Sequence, residues 1–328
     1  MPELTFREAL RQALREEMLR DERVFLMGED IGAYGGSYAV TRGLLEEFGE
    51  KRVKDTPIAE AAIVGLATGA AIGGLKPVAE LMTINFSLLA ADQIINHLAK
   101  LYYMFGGQFT APAVIRTAAG WGQLGATHSQ FLEVIYSHIP GLKVVMPSTP
   151  YDAKGLLKAA VRDPDPVLFI EHTLLYGVRG EVPDGEYLVP IGLADVKRPG
   201  RDVTIVAYAR MVHVAMGAAR QLEAEGVDCE IVDLRTLRPL DIETVIESVK
   251  KTNHVVVVEE DWKSFGVGAE VAARIAEQAF DYLDAPVVRV GMLEVPMPYN
   301  RTLERDVVPD EADVVAAVRS VVGSRVQS

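Results

Sequence analysis

The chain predicts an α/β protein of two domains, each a mainly parallel sheet covered by helices. Three observations carry that expectation. Short apolar runs alternate with longer runs of helical periodicity, the pattern of strands buried on both faces. The length, 328 residues, is about two domains at roughly 150 residues each. The alternation is interrupted once, over residues 172–202, by Gly177, Gly180, Pro183, Gly185, Pro190, Pro199 and Gly200, which read as a linker. The domains are therefore placed at 1–190 and 191–328, with the linker beginning near 172.

The first helix has its start written in. Thr5-x-x-Glu8 is a capping box, and Leu4, Phe6, Leu10, Ala13, Leu14 and Met18 follow at three- and four-residue steps. Val24–Met27 is a short buried strand closed by Gly28. Strands are then expected at 52–55, 77–83, 113–118, 143–147 and 167–171. Helices are expected at 57–73, 87–104, 129–138 and 151–162, the last introduced by Ser148-Thr149-Pro150. After the linker come strands at 203–209, 228–233, 254–259 and 287–290. Helices near 212–225, 242–251, 268–281 and 312–322 complete the set.

Composition narrows the function classes. Lys and Arg number 33 against 46 Asp and Glu, a net charge of −13, and 49% of residues are hydrophobic. That balance argues against nucleic-acid binding and against an anionic membrane surface. The single cysteine, Cys229, leaves no internal disulfide or cysteine-based zinc site and fits a reducing compartment. Met1-Pro2-Glu3-Leu4-Thr5 lacks the basic and apolar regions of a signal peptide, and the small-apolar run Ala61–Leu75 falls short of the roughly 20 residues a spanning helix needs. A cytoplasmic location is the expectation.

Gly266-x-Gly268 suggests a dinucleotide fingerprint, but Val271 stands where the third glycine belongs, so that reading is rejected. Gly65-x-x-x-Gly69-x-x-x-Gly73 aligns three glycines on one helix face. Each costs about 1 kcal/mol against alanine. Close packing against the sheet and a subunit interface explain them equally well.

Three places concentrate chemistry. Glu60 lies in an apolar helix start, one position too late to be the capping-box acid if Thr56 is the cap. It is either a carboxylate favoured by the helix dipole or a group suited to proton exchange near neutral pH. His128 follows the glycine-rich stretch Gly120–Thr127, a setting for a catalytic or a structural histidine. Glu29 and Asp30, with Tyr34 beyond, follow the first strand, where ligands gather in parallel sheets or where an acidic loop is simply solvated.

Taken together, Gly28-Glu29-Asp30, Asp55-Thr56-Pro57-Ile58-Ala59-Glu60, Met82-Thr83-Ile84-Asn85-Phe86 and His128-Ser129-Gln130 form an ordered set, continued by Pro140–Val145 and Tyr151–Leu156. In these the chain resembles the beta subunits of the thiamine-dependent 2-oxo acid dehydrogenases, in the transketolase-like superfamily. The likeness runs through Asp233–Leu237 to Val295–Tyr299 and is nearest the pyruvate dehydrogenase type. It implies a pyrimidine-binding domain followed by a transketolase C-terminal domain. It implies that Glu60 hydrogen-bonds a ring nitrogen of the aminopyrimidine of thiamine diphosphate, with Met82 and Phe86 packed near that ring. His128 matches the histidine that assists acyl transfer to the lipoyl arm, and Glu29 and Tyr34 match an acidic proton pathway.

The chain has no Gly-Asp-Gly, the motif that holds the diphosphate through magnesium. The resemblance therefore implies an alpha subunit supplying that half, in an α2β2 tetramer, with the Gly65–Gly73 face as a contact. It implies potassium bound by the backbone carbonyls of Ala113, Ala160, Val161, Asp163 and Asp165. It also implies docking of the acyltransferase core near Asp284, with the acidic surface steering a basic domain. The expected activity is decarboxylation of pyruvate with acetyl transfer to lipoyl-lysine. The alternatives are branched-chain or acetoin dehydrogenase chemistry and a non-catalytic assembly subunit.

Overall fold

The computed structural model describes residues 2–323; the hydrophilic tail Ser324–Ser328 lies outside them. The chain divides into two compact units, Met1–Gly120 with Ile135–Ile191, and Trp121–Val134 with Gly192–Ser328. The sequence reading puts residues 121–134 in the first domain, whereas by proximity they cluster with the second unit.

The first unit runs β1 (Glu3–Thr5), α1 (Phe6–Arg20), β2 (Val24–Gly28), α2 (Leu44–Phe48), β3 (Val53–Asp55), α3 (Glu60–Ile72) and β4 (Lys76–Leu81). A 3-10 turn (Ile84–Ala90), a π turn (Gln93–Leu98) and α4 (Leu101–Met104) lead to β5 (Val114–Ala119). Then come α5 (Glu133–Ser137), β6 (Lys143–Val145), α6 (Pro150–Arg162), β7 (Val167–His172) and β8 (Arg179–Glu181). Six strands pair in parallel in the order β6-β7-β5-β4-β2-β3, and β1 pairs antiparallel with β8.

Local chemistry explains most of these elements. Thr5 and Glu8 make the capping box, with Glu8 N–H on Thr5 Oγ1 at 3.2 Å and Thr5 N–H on Glu8 Oε2 at 2.8 Å. The face Phe6, Leu10, Ala13, Leu14 and Met18 is then buried in one core with Leu156, Leu157 and Phe169. Thr149 caps α6, accepting from Asp152 N–H at 3.1 Å, and Pro150 occupies the first turn.

Four expectations change. Helix α3 begins at Glu60 with Ala59 as its uncapped lead-in, because Thr56 N–H is held by Gly28 O at 2.9 Å in continuation of β3. The helix expected over 87–104 is three short pieces. Asn85 Nδ2 on Thr83 Oγ1 (2.6 Å) and Ser87 Oγ on Ile84 O (2.6 Å) compete there with a regular ladder. The helix expected over 129–138 is only α5, since the preceding loop has its own bonding. Residues 172–191 cluster with the first unit, where Val189 is buried and Tyr187 stacks on Tyr151 at 4.7 Å, while much of the stretch is exposed.

The second unit contains β9 (Asp195–Arg198), β10 (Val203–Ala207), α7 (Arg210–Glu223), β11 (Cys229–Asp233), β12 (Thr236–Arg238), α8 (Ile242–Thr252) and β13 (Val255–Trp262). It continues with α9 (Val267–Ala279), a 3-10 turn (Phe280–Tyr282), β14 (Val288–Met292), α10 (Arg301–Val307) and α11 (Glu311–Val322). Its five-stranded sheet is ordered β14-β13-β10-β11-β9, parallel except for β9 against β11. The Gly266-x-Gly268 pair has a local cause. Glu259 Oε2 accepts Gly268 N–H at 2.7 Å, and a Cβ on Gly266 would stand 2.5 Å from that same oxygen. Cys229 is buried, which pushes its thiol up to about 12 and leaves it inert.

Candidate functional site

In the first unit, the predicted cofactor residues gather at the carboxyl ends of adjacent parallel strands. Gly28 ends β2 opposite Glu80 of β4, so Glu29 and Met82 leave the sheet side by side. Gly32 N–H on Asp55 Oδ1 at 2.6 Å and Thr56 N–H on Gly28 O tie the 29–32 loop to the segment entering α3. Glu60 is the first residue of α3 and only 6% exposed. Its carboxylate sits where the helix dipole favours negative charge, and among the described residues nothing donates a hydrogen bond to it. Glu29 is half-buried, and burial, then Asp30 and Glu60, push its carboxyl above the ordinary range. Met82 and Phe86 are half-buried just past β4, in a turn that packs against α3 and that Thr83 caps. Tyr34 is 68% exposed.

Beneath these strand ends lies a buried ionic network that sequence reasoning missed. Arg116 of β5 lies between Glu80 of β4 and Glu171 of β7, bonding both; one of its contacts to Glu171 is 2.9 Å. Tyr176 donates to the same Glu171 at 2.7 Å. Burial, with the second carboxylate close by, pushes the Glu80 carboxyl up despite Arg116. The available signal was a charged residue inside each of three apolar runs, Glu80 in KPVAEL, Arg116 in VIRTAA and Glu171 in VLFIEH.

In the second unit, His128 is exposed on the loop from Trp121 to Leu132, its Nδ1 3.0 Å from Thr127 Oγ1 and its N–H 3.3 Å from Gly125 O. Five residues on, Glu133 is fully buried, accepts from Tyr208 Oη at 3.0 Å and has its other oxygen without a partner among the described residues. Burial and then Asp261 hold the Glu133 carboxyl far above its ordinary range; Asp261, buried beside Glu259, is pushed up to about 7. Glu60 and His128 thus belong to different units, and Glu133, Asp261 and Glu304 were not singled out from the sequence.

The remaining predicted residues are distributed as follows. Ala113 O accepts Val167 N–H (3.0 Å) and Ala160 O accepts Asp163 N–H (3.2 Å), leaving each carbonyl a second lone pair. Lys143 Nζ bridges the loop's carboxylates, 2.7 Å from Asp163 and 3.1 Å from Asp165, while Val161 is buried beside them in α6. Gly65 faces Gln93, Gly69 has open space where a side chain would project, and Gly73 ends the helix as its cap. Leu66 and Ile72 of the same helix, and Ile58 before it, are exposed. Asp284 is exposed, with its N–H on Asn253 O at 3.0 Å. Among the described residues no helix is long and apolar enough to cross a membrane.

Known proteins agree with this architecture. The transketolase pyrimidine-binding domain family matches residues 2–178 and the transketolase C-terminal domain family matches residues 192–314. The pyruvate dehydrogenase E1 component subunit beta of Rhizobium meliloti is 53% identical over 323 residues, covering 98% of this chain and 70% of that one. The subunit of the same name from Rickettsia felis is 50% identical, with 97% and 98% covered. The mitochondrial subunit of Bos taurus is 50% identical, with 97% and 90% covered. A solved split-gene transketolase, described as an inactive beta4 tetramer, superposes with TM-score 0.79 at 27% identity over 97% of this chain and 98% of that chain.

Proposed function

The chain belongs to the pyruvate dehydrogenase E1 beta-subunit family, and from that premise we propose that it works with an alpha subunit to decarboxylate pyruvate on thiamine diphosphate and pass the acetyl group to lipoyl-lysine. The observation that carries this reading is Glu60: a carboxylate 6% exposed, at a helix start, with no donor among the described residues. That carboxylate is open to a donor, and a protonated ring nitrogen would be one. Met82 and Phe86, half-buried just past β4, would supply an apolar wall for a flat heteroaromatic ring. The residues therefore fit the aminopyrimidine end of the cofactor.

When bound, thiamine diphosphate supplies the electron sink for decarboxylation. Glu60 would hold a proton at the pyrimidine nitrogen, and Met82 and Phe86 would orient the ring and exclude water. Glu29, whose carboxyl is raised by burial and by its neighbours Asp30 and Glu60, would exchange protons with that site, with Tyr34 at the pathway's exposed end. His128 would serve acyl transfer to the lipoyl arm.

The diphosphate and its magnesium would be held by the alpha subunit of an α2β2 assembly, which would cover the open face at Gly69. The second lone pairs of the Ala113 and Ala160 carbonyls, with Val161, Asp163 and Asp165, would take potassium. The exposed acid Asp284 would contact the acyltransferase core, and the complex would work in the cytoplasm. Co-expression with an alpha chain and assay over pyruvate and branched-chain 2-oxo acids tests the reading. Pyruvate turnover dependent on added thiamine diphosphate is expected; preference for a branched-chain acid, or no turnover from an assembled complex, would overturn it.

A further inference from the structure

The loop that carries His128 is tied to the second unit by buried carboxylates. Glu304, on α10 and with no exposed surface, points one oxygen at two consecutive amides, accepting Gln123 N–H at 2.6 Å and Gly122 N–H at 3.3 Å. Those amides converge because the backbone turns through Gly122 (φ +136) and Gln123 (φ +60). The second is a left-handed conformation that a glutamine adopts only when something holds it. Two consecutive N–H groups on one anion make that hold.

Neighbouring ties fix the start and end of the same stretch. Trp121 Nε1 donates to Glu260 Oε1 at 2.5 Å, and Arg210 reaches that oxygen at 2.8 Å while lying 5.3 Å above the indole. At the far end Tyr208 holds Glu133. Helix α10 is itself anchored, since Asn300 caps it (2.9 and 3.3 Å) and Val307 O accepts Leu293 N–H at 3.1 Å. His128 is thus an exposed side chain on a loop whose backbone course is dictated from Glu304.

We propose that Glu304 is a positioning residue for acyl transfer: its carboxylate sets the turn at Gly122-Gln123 and so the place from which His128 meets the acyl acceptor. This rests on the assignment of His128 to acyl transfer, and it adds a charged partner distant in sequence. Glu304 acts through the loop and touches no substrate.

The test uses the assembled alpha–beta complex with wild-type, E304A, E304Q and H128A chains. Decarboxylation is followed with an artificial electron acceptor, and acetylation with a free lipoyl domain. E304A should lower lipoyl acetylation tenfold or more and leave decarboxylation within twofold. E304Q, which keeps one acceptor oxygen, should recover most of that loss, a rescue that a merely structural role would not tie to acylation alone. H128A should lower acetylation more than it lowers decarboxylation. Selective loss in H128A with equal losses in both half-reactions of E304A and E304Q would overturn the role of Glu304. Unchanged acetylation in both Glu304 variants would do the same. A non-selective H128A would overturn the His128 assignment and this inference with it. Should E304A fail to assemble, E304Q alone decides: a residual loss of about twofold or more confined to acetylation supports the role, and parallel losses or unchanged acetylation reject it.

Discussion

Arg116→Met removes the only cation that the described residues place in a buried network and leaves two carboxylates facing each other. The Arg116, Glu80 and Glu171 side chains are 3%, 9% and 0% exposed, so water cannot replace the guanidinium. Breaking one partner out of such a buried set costs about 3–5 kcal/mol. An exposed pair such as Arg15–Glu47, with side chains 51% and 33% exposed, is worth at most about 1 kcal/mol. Urea unfolding at pH 7.5 should therefore show R116M destabilised by about 3–5 kcal/mol and R15M by less than about 1. The R116M loss should shrink toward pH 5, because a proton taken up by the bare carboxylate pair relieves its repulsion in the folded state alone. The triple variant E80Q/R116M/E171Q should recover much of the loss, since no unpaired charge then remains. An R116M loss below about 1 kcal/mol, or one that grows on acidification, would refute the view that burial dominates here.

Further outcomes follow from the same geometry. Asp261 is pushed up to about 7 in the folded chain against 3.8 ordinarily, through burial and then Glu259 and Glu294; its charge also raises Glu133, itself bonded to Tyr208, and Arg289 faces Glu259. A raised acid stabilises fully below its unfolded value and loses that contribution as pH climbs through the folded one. Wild type should accordingly lose stability between pH 4 and 7 and D261N should lose less; parallel stability curves would contradict this. Gly155→Ala places a Cβ 2.5 Å from Val189 Cγ2 and 3.0 Å from its backbone nitrogen. The overpacking, about 1–3 kcal/mol, outweighs about 1 kcal/mol of helix propensity, so the melting temperature should fall. Gly69→Leu meets open space, so the chain should fold as wild type yet fail to co-purify with alpha; an intact assembly would remove α3 from the interface.

Much of the order of elements was legible because it is written in local chemistry. The Thr5–Glu8 box, the Thr149-Pro150 start and the periodic apolar face of α1 each specify an element without tertiary help. The start of α3 was misread because a backbone bond from Gly28, distant in sequence, holds Thr56 out of the helix. The 172–191 stretch looked like a linker from its glycines and prolines, but Tyr187 and Val189 pack closely against Gly155. Candidate chemistry at Glu60 and His128 stood out as polar groups in unusual surroundings. Their supporting cast did not: Glu304 binds amides of the Gly122-Gln123 turn from α10, and Glu80, Arg116 and Glu171 find one another only through strand order. Such partnerships depend on topology, which no spacing rule reads.

The central claim is that Glu60 supplies the proton-holding carboxylate for the pyrimidine half of the cofactor. Glu60→Gln keeps the shape of the side chain and removes the charge. Assembled with alpha and saturated with thiamine diphosphate, the E60Q complex should exchange the cofactor's thiazolium proton at least a hundredfold more slowly than wild type, a loss of about 3 kcal/mol of catalysis. Its cofactor affinity and melting temperature should change little. Exchange within a few-fold of wild type in an intact E60Q complex would contradict the account.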